Sequence, residues 1–455
     1  MARLPYIWWL LGAVFIAMSG VLAVNSPAFG EDVDLIDMPI ATYIAGYALA
    51  GILFLALIPL TRQGGSKGLL IWIIGAGILM RLIQFTASPV LEDDYYRYLW
   101  DGAVTAEGGN PFRYSPNTMI DDPPAAAPYA ELTERGDYIL ERVNYPQYRT
   151  IYPPVTQAFF ALAHKIGPFS LTAWRIVLLA LDIMIAGLIL HLLATLGRPL
   201  VAVVLYWWNP LVVKEIFNSV HMEPVVVIFV LAALAALASN RRALAAAALA
   251  LGAGAKLWPV LLMPLALRAA WPSRSKLLAI GAVFAVLTAA LFLPVLLTRL
   301  DGSSGFVAYA EKWQTNSALF LILEWLAGLW PWEWPVQGMI ARGLAGAMLL
   351  AAVVWICRRP IGNDKDLLQR AFLCLVALFL LSPVQFPWYF LWVAPLLPLF
   401  PLRGLLLAVP LLPLYYGYFH LQPRDMADLQ TYGLVWLSWI PVWAVLGHDY
   451  LRQRG

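Results

Sequence analysis

The chain has 455 residues and a formal net charge of +3, with 61% hydrophobic and only 13% charged residues. A soluble domain carries about 25% charged residues, so this composition excludes an ordinary soluble enzyme. The mean hydropathy is +0.73. Several apolar runs reach the ~20 residues needed to cross a bilayer, and none alternates as a β-barrel strand does. The sequence therefore predicts an all-α polytopic membrane protein.

The predicted membrane segments begin near the N-terminus and continue along the whole chain. Clear examples are Tyr6–Val24, Pro39–Leu60, Leu69–Val90 and Leu277–Leu297. The first lacks a small-residue cleavage site, which predicts an anchor helix and not a removable signal peptide. At these lengths we expect about 12–14 membrane segments, including short broken helices. They are predicted to form a single integral membrane domain over residues 1–455.

Lysine and arginine residues are concentrated in short loops and at the termini. Threading them all to one side is self-consistent, and the positive-inside rule assigns that side to the cytoplasm. Both termini are then predicted to be cytoplasmic. The opposite side receives residues 91–152 as the first large extracytoplasmic loop and residues 299–335 as the second. Arg81, Arg175 and Arg342 lie inside apolar segments and take no part in this pattern.

The eleven residues EDDYYRYLWDG, from Glu92 to Gly102, directly follow a membrane-length apolar segment. Four carboxylates and Arg97 at the end of an apolar helix are costly unless water, a substrate or a partner charge receives them. A carboxylate pair such as Asp93–Asp94 also suits the general base of a sugar-transferring or hydrolytic enzyme. The spacing of Arg97 and Asp101 equally allows a simple i,i+4 ion pair on a helix.

Two stretches are too short or too broken to be plain membrane spans. Residues 243–270 contain glycines, prolines and Lys256. Each arm has about 14 residues, or roughly 21 Å of helix, which predicts a hairpin that does not fully cross and carries Lys256 in the outer half of the membrane. Residues 200–208 and 225–238 make a similar short pair around the polar stretch Asn209–Glu223.

Polar residues from several independent elements are predicted to meet on the outer side in a shared cleft. One element is IYPPVTQ, residues 151–157, whose paired prolines favour a fixed helix start. Trp388 and Tyr389 also fit an interfacial aromatic belt, and His221 alone also fits a structural histidine. The residues expected to meet in this way come from the acidic motif and from later elements, namely Glu92, Asp93, Asp94, Arg97, Asp101, Asn209, Lys214, Glu215, His221, Glu223, Lys256, Ser382, Gln385, Trp388 and Tyr389.

A family resemblance is carried by a series of motifs between about Leu69 and Leu397. The motifs are, in order, DDYYRYLWDG, EGGNPFRYSP, IYPPVTQ, NPL with the later E and H.E, AKLWP and FPWYFLW. Together they resemble bacterial polyprenyl-phosphate-dependent glycosyltransferases of the GT-C fold, in particular mannosyltransferase-like membrane families. One departure is the sequence of Asn218–Glu223, NSVHME, where related sequences commonly have Asn-Gly-His-x-Asp.

The resemblance implies transfer of a sugar, with mannose expected, from a polyprenyl-phosphate donor to a glycolipid, polysaccharide or protein acceptor. The site is expected to face the periplasm or exterior of the bacterial inner membrane, and single displacement predicts inversion. Asp94 is implied as the general base, with Asp93 the second choice. No cofactor, metal or nucleic acid is expected. The donor phosphate is expected to bind Lys256, Arg97 and His221. The other substrate-binding residues are expected to be Asp101, Tyr98, Tyr152, Glu223, Gln385, Trp388 and Tyr389.

Two other function classes stay open at this point. A transporter or flippase for a lipid-linked saccharide would also contain broken helices and intramembrane charges, but typically with repeated halves, and no repeat is evident. An oligosaccharide ligase or polymerase would favour several arginines in the outer loops. The candidates are Arg97, Arg113, Arg135, Arg142 and Arg149.

Overall fold

The computed structural model describes residues 4–62, 64–122, 127–331 and 333–452. The protein is 76% helical, and these described residues form no β-strand. Eight described helices are long and apolar enough to span a membrane, which confirms the all-α polytopic class. They are Tyr6–Val24, Ile40–Arg62, Lys67–Thr86, Leu171–Thr195, Arg274–Leu291, Val336–Cys357, Arg403–Arg424 and Ala427–Arg452.

Other apolar helices are shorter or broken. Leu200–Trp207 and Pro210–Asn218 form a pair bent by 55°, which would make a ninth span. With these included, the apolar segments found in the described part of the chain fall within the expected 12–14. The four short apolar helices are Glu223–Ala238, Arg242–Ala255, Trp258–Ala270 and Ala318–Gly328.

The expected short hairpin around Lys256 is present. The helix Arg242–Ala255 has 14 residues, or about 21 Å of length, and it ends where Lys256 adopts an extended backbone. A 3₁₀ turn and the eight-residue helix Met263–Ala270 follow. Gly254 allows close packing, because a Cβ there would lie 2.7 Å from a side-chain atom of Val155. Lys256 therefore lies at the break between two short helices.

The first long loop, residues 91–152, folds into short helices. Pro153 caps the helix that Pro154 begins, so the paired prolines start a helix as expected. This helix packs against the helix that begins at Asp94, with Gly102 at the contact, where a Cβ would lie 2.5 Å from the carbonyl oxygen of Phe160. The helices of this region are Asp94–Ala106, Pro116–Asp121, Ala130–Arg135, Asp137–Leu140 and Pro154–Ile166.

The core is centred on residues 201–227, every one of which is buried. Residues 387–399 are buried too, and they belong to the same hydrophobic cluster. The remaining helices surround this centre. They include Gly305–Lys312 in the second predicted loop, and Trp334–Cys357, Asp364–Leu381, Arg403–Leu411 and Val435–Arg452.

Arginines inside the apolar segments join helices to one another. Arg81 Nε lies 2.5 Å from Asp182 Oδ2, and the hydroxyl of Tyr206 donates to Asp182 Oδ1 at 2.5 Å. Arg175 Nε donates to the carbonyl oxygen of Phe217 at 3.0 Å. An ionised group in an apolar interior is stable only with such partners. These contacts explain why Arg81 and Arg175 lie inside apolar segments, whereas most other basic residues lie in loops.

Replacing Asp182 with alanine leaves Arg81 buried without a counter-charge. We expect Asp182→Ala to lower the free energy of unfolding by about 3–5 kcal/mol, measured by thermal or denaturant unfolding of the protein in detergent. Glu131→Ala is the control, because Glu131 pairs with Arg135 at 3.9 Å while its side chain is 88% exposed. Equal stabilities of the two variants would contradict this role for Asp182.

Candidate active site

A cleft of about 1590 Å³ lies among the helices of the first long loop, the Lys256 break and the segment that follows Ser382. Chain segments that are far apart in sequence contribute to it, so the prediction of one shared cleft agrees with the structure. The predicted site residues that line it are Asp93, Asp94, Arg97, Tyr98, Tyr152, Glu223, Lys256, Trp388 and Tyr389.

The Asp93–Asp94 pair is held in place by a single amide. Asn144 Nδ2 donates to Asp93 Oδ1 at 2.8 Å and to Asp94 Oδ1 at 2.7 Å. The hydroxyls of Tyr98 and Tyr152 donate to Asp94 Oδ2 at 3.4 and 3.3 Å. Asp93 is exposed to the cleft, and the side chain of Asp94 is 26% exposed. Two carboxylates therefore face the cleft side by side.

The environment of Asp93 changes its acidity. Partial desolvation by the surrounding protein atoms and, next, the neighbouring charge of Asp94 raise the pKa of Asp93, the hydrogen bond from Asn144 opposes the shift, and the net pKa is about 6. Two carboxylates this close resist simultaneous ionisation. A carboxylate of this kind is suited to accept a proton near neutral pH.

Lys256 is the second chemical group of the cleft. Its Nζ lies 2.6 Å from Glu223 Oε1, and the side chain of Lys256 is 23% exposed while that of Glu223 is 1% exposed. The ammonium also lies 4.3 Å from the ring centroid of Tyr389 and 5.2 Å from that of Trp392. Since an ammonium has three donors, the bond to Glu223 leaves donors available for an anion in the cleft.

Arg97 lines the cleft, but its guanidinium is engaged with the protein backbone. It donates to the carbonyl oxygens of Asn144 and Tyr145 at 3.1 Å and of Tyr148 at 3.2 Å. These bonds fix the 144–148 segment against the helix that carries the aspartates. Arg97 therefore positions Asn144, and its expected contact with the donor phosphate stays a prediction.

Asp101 and Gln385, both expected to bind substrate, lie behind the wall of the cleft. Asp101 is 2% exposed, and its Oδ2 accepts a hydrogen bond from Gln157 Nε2 at 3.1 Å. Gln385 is 1% exposed and donates to the carbonyl oxygens of Phe379 and Leu380. Both side chains serve the packing of the site, and neither lines the cleft.

His221 is fully buried behind the same wall. Its ring stacks on Trp388, with centroids 3.9 Å apart. Nδ1 lies 3.5 Å from the hydroxyl of Tyr98 and 4.0 Å from Asp94 Oδ2, while Nε2 faces Glu92 and Glu215. His221 thus connects the aspartate pair to a buried charge cluster, which consists of Glu92, Lys214, Glu215, His221 and Tyr416.

The turn before His221 is strained. Val220 has φ 57°, a left-handed conformation that β-branched residues rarely adopt and that costs about 1–3 kcal/mol. Its carbonyl oxygen accepts a hydrogen bond from Trp174 Nε1 at 2.8 Å. The surrounding core therefore holds the turn that directs His221 into the buried charge cluster.

Asn144 and Tyr416 are site residues that the sequence did not reveal. Asn144 lies about fifty residues after the aspartates it holds, in a stretch without a recognisable motif. Tyr416 lies 324 residues after Glu92 and 201 residues after Glu215, its partners in the buried charge cluster. Asparagine and tyrosine are common at turns and membrane interfaces, so no local pattern distinguishes these two.

Comparison with known proteins then identifies the class. The model of glycosyltransferase family 87 matches residues 150–383, just over half of the chain. The chain belongs to glycosyltransferase family 87. No curated protein and no solved structure gives a match. This family-87 protein is therefore a glycosyltransferase, and the transporter interpretation is set aside. The matched range contains His221, Glu223 and Lys256, whereas the aspartate pair lies before it.

The contact at Gly102 predicts how packing controls this transferase. A methyl group added there meets the backbone of Phe160, so Gly102→Ala should push apart the two helices that carry the aspartates and the Pro-Pro element. We expect a lower unfolding temperature and a lower rate of sugar transfer. Gly187→Ala is the matched control, because its Cβ would meet nothing within 4 Å. Equal behaviour of the two variants would contradict the packing argument.

Proposed function

We propose that this glycosyltransferase moves a sugar, with mannose the first candidate, from a polyprenyl-phosphate donor to a glycolipid or glycan acceptor on the extracytoplasmic side of the membrane. The observation that carries the proposal is the single cleft lined by both the Asp93–Asp94 pair and Lys256. Sugar transfer from a phosphate needs a base for the acceptor hydroxyl and a positive charge for the leaving group. These three side chains supply both.

The surroundings of Lys256 support a lipid donor. The next residue, Leu257, also lines the cleft and is 51% exposed, so a phosphate held by Lys256 has an apolar path beside it. An isoprenoid chain bound along this path would pass from the cleft into the bilayer. The described residues contain no parallel sheet of the kind that binds nucleotides in Rossmann domains. A lipid-linked sugar fits these features better than a sugar nucleotide.

The reaction follows from this arrangement. One aspartate takes the proton of the acceptor hydroxyl while the oxygen bonds to the anomeric carbon. The bond from that carbon to the phosphate oxygen breaks, and the phosphate keeps the electron pair beside the ammonium of Lys256. A single displacement of this kind inverts the anomeric configuration. Asp94 is the first candidate for the base, because three donors orient its carboxylate.

The predicted side of the membrane agrees with this chemistry. The sequence predicts that the aspartates and Lys256 lie on the side opposite the basic loops. The positive-inside rule assigns that opposite side to the exterior. A polyprenyl-phosphate sugar presented on that face would reach the cleft directly from the outer leaflet.

Neutral replacements of the aspartates test the base. We expect the variant that removes the base to lower turnover by about 10²–10⁴-fold while donor binding is kept. Asp94→Asn is the first candidate for this variant and Asp93→Asn the second. The measurement is transfer of radiolabel from synthetic polyprenyl-phosphate mannose to an acceptor by the purified protein. Glu131→Gln, an exposed carboxylate, is the control. Full turnover in both aspartate variants would refute the assignment, and a product with retained configuration would refute single displacement.

Removing the charge of Lys256 tests the donor. Lys256→Met should weaken binding of polyprenyl-phosphate mannose by about tenfold to a hundredfold, the range of a lost charge-assisted hydrogen bond. Lys256→Arg should keep most of the affinity. Lys312→Met is a matched control, since Lys312 lines the same cleft, lies on the separate helix Gly305–Lys312 and is not assigned to the donor phosphate.

The matching ligand control is free polyprenol, which lacks the phosphate. Wild type and Lys256→Met should bind it equally well, because the lysine contacts only the phosphate. Undiminished binding of the phosphorylated donor by Lys256→Met would contradict the proposed contact.

A further inference from the structure

Three side chains of the buried charge cluster converge on one point. His221 Nε2 lies 3.4 Å from Glu92 Oε2 and 3.6 Å from Glu215 Oε2. Each of the three residues offers an atom of a type that binds metals, and these atoms all lie within 4.8 Å of one another. The residues come from the first long loop, the second half of the bent helix pair and the strained turn, so the fold brings them together from separate elements.

The nitrogen at the centre of this group has no hydrogen-bond partner. His221 is 0% exposed, and its Nε2 makes no hydrogen bond although two carboxylate oxygens face it. A buried nitrogen without a hydrogen-bond partner lowers the stability of the folded protein by about 1–3 kcal/mol. The separations exceed the 2.7–3.2 Å of a good N–H···O bond. These two separations match the edge of a tetrahedron around a cation with bonds of about 2.0–2.2 Å, which is about 3.3–3.6 Å, and the two carboxylate oxygens lie within 4.8 Å of each other.

Lys214 and Tyr416, the remaining members of the buried charge cluster, mainly contact the Oε1 atoms of the two glutamates. Lys214 Nζ lies 3.5 Å from Glu92 Oε1 and 3.3 Å from Glu215 Oε1, and it also reaches Glu215 Oε2 at 3.4 Å. The hydroxyl of Tyr416 lies 2.8 Å from Glu92 Oε1 and 3.1 Å from Glu215 Oε1, and it also lies 3.3 Å from Glu215 Oε2. Glu92 Oε2 is thus turned away from Lys214 and toward the histidine.

The charges also suit a divalent cation. The two glutamates carry two negative charges and Lys214 carries one positive charge, so a divalent ion beside a neutral His221 leaves the group with one positive charge. Asp94, 4.0 Å from His221 Nδ1, is the nearest carboxylate beyond the group and balances that charge. An imidazole with two carboxylates favours zinc over magnesium or calcium, which prefer oxygen ligands alone.

We propose that Glu92 Oε2, Glu215 Oε2 and His221 Nε2 bind a zinc ion, with water from the cleft as the fourth ligand. Glu92 itself lines the cleft and precedes the aspartate pair directly. The ion would tie the first long loop to the bent helix pair and thereby fix the position of Asp93 and Asp94. Only this positioning role rests on the proposed function; metal binding itself does not. The sequence had led us to expect no metal.

The test measures metal directly in the full-length protein. Purified protein in detergent is stripped with a chelator, incubated with zinc chloride, desalted and analysed by inductively coupled plasma mass spectrometry. We expect one zinc ion per wild-type chain, and at least a tenfold loss in Glu215→Gln and in Glu92→Gln. Glu131→Gln, an exposed carboxylate outside the buried charge cluster, should bind as much zinc as wild type.

A second measurement follows thermal unfolding. Zinc added to the stripped wild-type protein should raise its unfolding temperature, because a ligand that binds the folded state stabilises it, and Glu215→Gln should not respond. Wild-type protein without stoichiometric zinc and without this rise would overturn the proposal. Full zinc content in Glu215→Gln and Glu92→Gln would overturn it too. Neither readout uses sugar transfer, so its failure is distinct from failure of the proposed function.

Discussion

Charge inside an apolar interior is the constraint on which this structure depends. An ionised side chain away from water needs a partner of opposite charge or several hydrogen bonds. Arg81 and Asp182 meet this need deep among the spans, and the buried charge cluster meets it behind the cleft. Because Arg81 and Asp182 belong to different helices, and Glu92 and Lys214 to separate parts of the chain, satisfying these charges also determines which segments can pack together.

The position of the aspartate pair also depends on polar groups that are partnered by residues elsewhere in the chain. Asn144 binds both carboxylates, and Arg97 binds the backbone of Asn144 and its neighbours. Arg97 is thus tied to the chemistry of the cleft through the backbone segment that it holds. On the opposite side, Tyr98 contacts both Asp94 and the ring of His221. In the acidic motif Glu92–Gly102, some charged side chains therefore face the cleft, and others hold those side chains in position.

Local chemistry made three features predictable from the sequence. They are the acidic motif, the Pro-Pro helix start and the short hairpin around Lys256. Proline at a helix start and the length of a helix are properties of neighbouring residues. The roles of Arg97, Asp101 and Gln385 could not be predicted in this way. The partners of Arg97 and Asp101 lie far along the chain, at Tyr148 and Gln157. Gln385 binds the nearby helix end, and only packing decides whether such a polar side chain faces a cleft or a backbone carbonyl.

Composition and apolar run length alone determined that this is an all-α membrane protein, since hydrophobic segments of bilayer length have few other stable folds. The sequence also identified which residues carry chemistry, because charge in such segments is rare and costly. Tertiary structure decided how those residues are grouped. Asn144 joins the aspartates and Tyr416 joins the glutamates across long stretches of chain, because the direction of each side chain is set by the packing of whole helices.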